Sequence, residues 1–202
     1  MSGIQWLAVL GSVLVLAGCQ NQGSGRFNEH PVSAEDVRRD TPQARKLNAE
    51  AVDLLKRGET GNAEKKLKAA LDLDLFFGPA HNNLGIVYHR QERFYEAAWE
   101  FQYAAKLMPG KVEPKNNLGM VFEAVGKLDE AAKWYEEALA IEPDNEEITA
   151  NLARVMVRAH RRSDRTRQLL NDILMKDRRP EWLAWAREQL LLLGQPKPIS
   201  SP

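Results

Sequence analysis

The sequence predicts an all-α solenoid of helix-turn-helix repeats closed by a C-terminal capping helix. Three observations carry that prediction. Asn82-Asn83-Leu84-Gly85 and Asn116-Asn117-Leu118-Gly119 are near-copies set 34 residues apart. The same step runs through Ala63, Ala97 and Ala131, through Leu67, Phe101 and Tyr135, and through Ala70, Ala104 and Ala138. Pro109 and Pro143 recur at that interval too, and each stops a helix because the residue before a proline avoids the α region. Units of this length cannot bury an apolar face alone and must stack on their neighbours.

The chain begins with a segment that reads as processing rather than fold. Ile4 to Gly18 is uncharged and apolar, yet shorter than the roughly 20 residues a membrane span needs. It ends Leu16-Ala17-Gly18-Cys19, which resembles a bacterial lipobox. That resemblance implies a lipoprotein signal peptide over 1–18 and an acylated Cys19 as the first mature residue. Gln20, where an Asp would favour retention, implies the outer membrane by the same resemblance. The leader departs from the usual pattern in having no Lys or Arg before Trp6. Residues 19–43 are rich in Gly, Ser, Asn and charge and read as a tether with a reach of about 25 Å. At the other end, Pro196 and Pro198 mark 195–202 as a tail that no helix continues.

Between these ends the repeats fall at 44–77, 78–111, 112–145 and 146–179. In each, the first helix (A) packs through its fourth, seventh, eighth and eleventh residues, an i, i+3, i+4, i+7 stripe. His81, Leu84, Gly85 and Tyr88 form it in the second unit, and Lys115, Leu118, Gly119 and Phe122 in the third. Small residues at Ala51, Gly85, Gly119 and Ala153 let the second helix (B) approach, and an aromatic at Phe101 or Tyr135 fills the space between units. Gly58 and Gly126 turn the chain from A to B. The first unit is weaker, with Glu50 on its stripe and no closing proline. The fourth reads as degenerate, because Arg165 and Asp172 stand where alanines are expected. Pro180 then opens a final helix over 180–194, with Trp182, Trp185, Leu190 and Leu193 on one stripe and Gly194 as its stop. A solenoid needs such a cap, since its last repeat otherwise exposes apolar surface.

These residues make 44–179 resemble the tetratricopeptide repeat family, most strongly in the second and third units. The resemblance implies a concave surface lined by the A helices. On it the candidate groove residues are Asn48, Val52, Asn82, Asn83, Ile86, His89, Asn116, Asn117, Met120, Asn151, Arg154 and Arg158. They amount to rails of amides beside an apolar strip, which suits an extended peptide whose backbone groups need partners once desolvated. Equally, asparagines at these places can cap or hydrate a helix surface and bind nothing. The family's clamp for a C-terminal carboxylate wants cations where this chain has Asn48 or Asn82, Glu113 or Glu147, and Asn117 or Asn151. An acidic chaperone tail is therefore not the expected ligand.

Catalysis and metal binding find no constellation. His30, His81, His89 and His160 are scattered, and a single cysteine excludes an intramolecular disulfide. No cofactor is expected, and the chain does not read as an enzyme. Lys plus Arg and Asp plus Glu balance at 28 each, so no net field points to nucleic acid. Charge is segregated locally, at −7 over Val112 to Glu147 and +6 over Arg154 to Arg179. The basic segment is either a solvated face or a docking patch for an acidic partner or anionic lipid headgroups. The sequence thus reads as a lipid-anchored adaptor that takes another protein in its groove, in an envelope assembly such as pilus, secretion or cell-wall machinery. The alternative is a structural envelope protein that self-associates through the exposed capping helix.

Overall fold

The computed structural model of the chain describes residues 41–194, so the leader, Cys19, most of the tether and the tail lie outside the described residues. Among those described there are nine α-helices and no strand: α1 Thr41–Lys56, α2 Thr60–Leu73, α3 Gly78–Arg90, α4 Phe94–Leu107, α5 Glu113–Ala124, α6 Leu128–Leu139, α7 Glu146–Arg158, α8 Asp164–Lys176 and α9 Pro180–Gly194. Helix α1 takes up the last three residues assigned to the tether, Thr41 to Gln43. The hydroxyl of Thr41 donates to the Asp74 carboxylate at 2.6 Å, which pins the start of the solenoid to the turn after α2.

Helices α1, α3, α5 and α7 each pair with the next to form a hairpin, the hairpins stack through α2–α3, α4–α5 and α6–α7, and α9 packs on α8. The small residues of the pattern make this possible. Ala63, Ala70, Ala97, Ala104, Ala131 and Ala138 are fully buried. A methyl on Gly85 would lie 2.6 Å from a ring carbon of Phe101, and one on Gly119 would meet the Tyr135 ring in the same way. The two glycines are therefore the room into which the aromatics fit. Two cores result. One spans α1 to α5 around Leu67, Leu84 and Phe101. The other spans α6 to α9 around Tyr135, Leu152, Leu170 and Ile173, and Phe122 packs against both.

The A-to-B turn has one geometry in all four repeats. Gly58, Glu92, Gly126 and His160, each 34 apart, have φ of +79°, +59°, +77° and +53°. The residue after each donates back to the A helix, as Glu59 to Leu54 O, Arg93 to Tyr88 O, Lys127 to Phe122 O and Arg161 to Met156 O. That left-handed residue and reverse bond are the Schellman closure. Glycine takes it without cost, whereas Glu92 and His160 bear the strain of a Cβ.

After the fourth turn the register departs from the sequence expectation. Helix α8 starts later than its counterparts, at Asp164, and its buried residues are Thr166, Leu169, Leu170 and Ile173. Thr166, Leu170 and Ile173 reproduce the spacing of Ala131, Tyr135 and Ala138, one residue further along the chain. Repeat four has thus not lost its packing positions; one additional residue in its turn displaced them. Arg165 and Asp172 do not occupy the alanine places. The cost is a looser hairpin, since the backbones of α7 and α8 come close at fewer places than those of α1 and α2 or α3 and α4. Ser163 supplies a side-chain N-cap to Thr166 N that helices α2, α4 and α6 lack. The C-terminal ends show the same displacement. Buried Asp74 ends α2 and accepts from Phe76 N, and buried Asp177 ends α8 and accepts from Arg179 N. These aspartates close the two repeats that have no closing proline.

Helix α9 sits on the second core as a cap. Trp182, Trp185, Leu190 and Leu193 pack against the cluster that contains Leu169, Leu170 and Ile173, and Ala186 is fully buried between them. The two indoles meet edge to face with centroids 5.3 Å apart.

Candidate functional site

The A helices bring the predicted groove residues into neighbouring rows. Asn48 and Val52 on α1, Asn82, Asn83, Ile86 and His89 on α3, and Asn116 and Asn117 on α5 are half-buried. Met120 is 37% exposed. Between α3 and α5 lies an open concavity of about 310 Å³, lined by Ile86, His89, Arg90, Asn116, Asn117 and Met120, with Glu147 from α7 at its edge. Burial holds the His89 imidazole below its ordinary pKa, and its ring meets Phe94 edge-on at 5.7 Å. An imidazole, an amide pair and the apolar side chains of Ile86 and Met120 thus share one recess with Arg90.

The amides also have work within the fold. Asn83 Nδ2 donates to Asn48 Oδ1 at 2.8 Å, Asn117 Nδ2 to Asn82 Oδ1 at 3.1 Å, and Asn151 Nδ2 to Asn116 Oδ1 at 3.2 Å. Each bond joins the sixth residue of one repeat to the fifth of the repeat before it. The ladder stops where the asparagines stop: among the described residues Ala49 stands in the first repeat and Ala150 in the last. A structural role therefore accounts for the placement of every asparagine in the two rows. Each bond consumes one of the two N–H donors of an amide, so the ladder leaves donors for a ligand. Asn151, only 8% exposed, serves the fold more than the groove.

Arg154 and Arg158 do not form a free cationic end of the groove. Arg154 makes a two-pronged contact with Glu123, both bonds at 2.9 Å, and Arg158 donates to the same carboxylate at 2.6 Å. Tyr135 OH reaches it at 3.3 Å, and Arg154 also holds Asn151 Oδ1 at 3.0 Å. Burial raises the Glu123 carboxyl, but the bonds and charges of the two arginines outweigh it, so the group lies below the ordinary glutamate value. Burial and the nearby Glu123 charge push the Tyr135 phenol well above its ordinary range.

Much of the basic segment follows suit. Arg161 pairs with Asp129, Arg165 grips Glu136 through two bonds at 2.8 and 2.9 Å, and Lys176 pairs with Asp144. Each joins repeat four to repeat three. Part of the segregation of charge along the chain is thus the two sides of one internal seam, whose outer pairs Arg161–Asp129 and Lys176–Asp144 remain exposed to solvent. Hydrophobic patterning could not show this, because the partners lie 29 to 35 residues apart in different repeats. His81, placed on the packing stripe, is 6% exposed and is bonded to Glu100 at 2.6 Å and to Leu75 O at 2.8 Å.

Two family models described as tetratricopeptide repeat match the chain, one over residues 48–112 and the other over 122–186. The chain is a tetratricopeptide repeat protein. Solved structures share its fold. The first TPR of Spaghetti (RPAP3), bound to an HSP90 peptide of sequence SRMEEVD, is 25% identical, with a TM-score of 0.59 over 61% of this chain and 98% of that one. A tetratricopeptide repeat protein from Parabacteroides merdae ATCC 43184 is 18% identical, with a TM-score of 0.66 over 75% of this chain and 60% of that one. MamA is 17% identical, with a TM-score of 0.58 over 75% of this chain and 82% of its own. No curated protein matches significantly.

Proposed function

We propose that this tetratricopeptide repeat protein is a membrane-anchored adaptor that holds an internal segment of another protein between α3 and α5. The observation that carries the reading is the recess formed by Ile86, His89, Asn116, Asn117 and Met120. It offers apolar contact and spare amide donors side by side. A similar fold holding the peptide SRMEEVD supports peptide capture as the mode. The ligand class differs here, since Asn48, Asn82, Glu113, Asn117, Glu147 and Asn151 supply no cation for a terminal carboxylate. The favoured ligand is an uncharged extended stretch with an apolar side chain seated on Met120.

Anchoring rests on Leu16-Ala17-Gly18-Cys19. Acylated Cys19 would fix the chain to a bacterial membrane, the outer one on the evidence of Gln20, within an envelope assembly. Tethering raises the effective concentration of groove and partner without adding contacts. Self-association through α9 is the weaker reading, because Trp182, Trp185, Leu190 and Leu193 pack on this chain's own core and of its leucines Leu191 and Leu192 alone stay exposed.

The test takes crosslinked membranes from cells carrying the wild type, Met120→Glu or Cys19→Ser. Met120 is exposed, so the charge should leave the fold intact while removing the captured partner. Cys19→Ser should abolish lipid labelling and release the protein into the soluble fraction. An unchanged crosslinked partner in Met120→Glu would sink the groove, and a wild type that takes up no labelled lipid would sink the anchor.

A further inference from the structure

On the opposite side from the groove, α4 carries a stripe that the packing leaves uncovered. Tyr95 and Trp99 are 91% and 71% exposed, although their large apolar surfaces are the kind that folding normally hides. Tyr103 lies a further turn along the same face, so the three rings span about 12 Å of helix. Tyr103 meets the His81 ring at 4.6 Å, and His81 is bonded to the carbonyl of Leu75, itself 50% exposed. The stripe therefore runs from Tyr95 to the turn after α2. The corresponding places on α2 are Gly61 and Lys65, and on α6 Asp129 and Lys133, so the feature belongs to repeat two alone.

The chain enters the solenoid beside this stripe. Thr41 is bonded to Asp74, next to Leu75. Thr41, the first described residue, thus stands at the end of the stripe. Nearby charge does not select an anionic surface, since Glu96 pairs with Arg93 at 3.0 Å and Glu100 with His81 at 2.6 Å. Protruding rings with polar tips, beside glutamates that are already paired, suit the boundary between headgroups and acyl chains.

We propose that Tyr95, Trp99 and the Leu75 turn form a membrane-contact surface that rests in the interface of a zwitterionic bilayer. The inference rests on the anchoring proposed above. In this arrangement the contact orients the solenoid, and the groove, on the other face, points away from the lipid.

The test supplies the anchor artificially, so that failure of acylation and failure of the surface can be told apart. Both cores lie within residues 41–194, and this unit contains no cysteine. A fragment 40–194 with Asp40→Cys is coupled to maleimide lipid in phosphatidylcholine vesicles. Tryptophan emission is then compared with and without lipids brominated high on the acyl chain. The proposal expects quenching and a blue shift that are insensitive to salt and are lost in Trp99→Ser and in Tyr95→Ser. Both variants should melt as the parent does, because the altered side chains are exposed. Emission unaffected by brominated lipid would overturn the proposal. So would quenching that survives in Trp99→Ser, or a fragment that dimerises free in solution with Trp99 shielded in the copy interface.

Discussion

The Asn83 amide bridges two repeats, and its energetic weight follows from where its partner sits. Removing it in Asn83→Ala breaks a half-buried bond and leaves Asn48 Oδ1 to water, a loss of about 1 kcal/mol. Asn48→Ala should cost a similar amount, and the double variant should cost less than the sum, because both singles break one bond. Urea unfolding of the four proteins reads the coupling; strict additivity would make the ladder incidental. Glu123 is the other decisive residue. Its carboxyl sits below the ordinary value because Arg154 and Arg158 outweigh burial. The stabilisation is therefore complete above the unfolded value of about 4.3 and is lost as pH falls through the lower native one. Glu123→Gln should cost about 1–3 kcal/mol at neutral pH and flatten the acid limb of a stability–pH profile. An unchanged limb would show that the pair is energetically silent.

Among the elements, the A-to-B turn separates backbone strain from packing. Gly126 has φ of +77° and open space around its missing Cβ, so Gly126→Ala should cost about 1 kcal/mol through the backbone alone. Glu92 holds the same left-handed position with a side chain, and Glu92→Gly should stabilise by a few tenths to about 1 kcal/mol, part of the relief being offset by glycine's larger unfolded-state entropy. Thermal melts of the two variants should move in opposite directions; a fall in both would mean that the Glu92 side chain contributes more than its strain costs. Gly58 and Gly126 were legible as turns from their identity. Glu92 and His160 were not, because nothing in a glutamate or histidine signals a positive φ until the helices on either side impose it.

The whole molecule behaves as a stack in which each unit leans on the next, and its last unit leans hardest. Repeat four has the looser hairpin, yet it is fastened on one side by ion pairs to repeat three and on the other by α9. Deleting residues 180–194 strips two half-buried indoles and two half-buried leucines from the second core, each worth about 1 kcal/mol at partial burial. In a one-dimensional array that loss should stay local. Hydrogen exchange on the truncated protein should speed up across α7 and α8 while α1 to α4 stay protected. Uniform loss of protection would instead mark the two cores as one cooperative unit, with Phe122 as the link.

The period, the small-residue positions of the first three repeats and the capping helix were legible in the sequence alone. The reason is that a stacked repeat closes through neighbours in the chain, so its packing rule is written locally and recurs. The candidate groove was legible as two rows of asparagines flanking Ile86 and Met120, for the same reason. Tertiary structure alone decided how those asparagines are used, since the bond from Asn83 to Asn48 joins separate helices whose relative height no single-helix pattern contains. It also decided that Arg154, Arg158 and Arg165 close a seam rather than face a partner. The same holds for the one-residue displacement that moved the packing of α8 to Thr166, Leu170 and Ile173. That displacement depends on the length of one turn, and a turn shows its length only when the helices it joins have found their places.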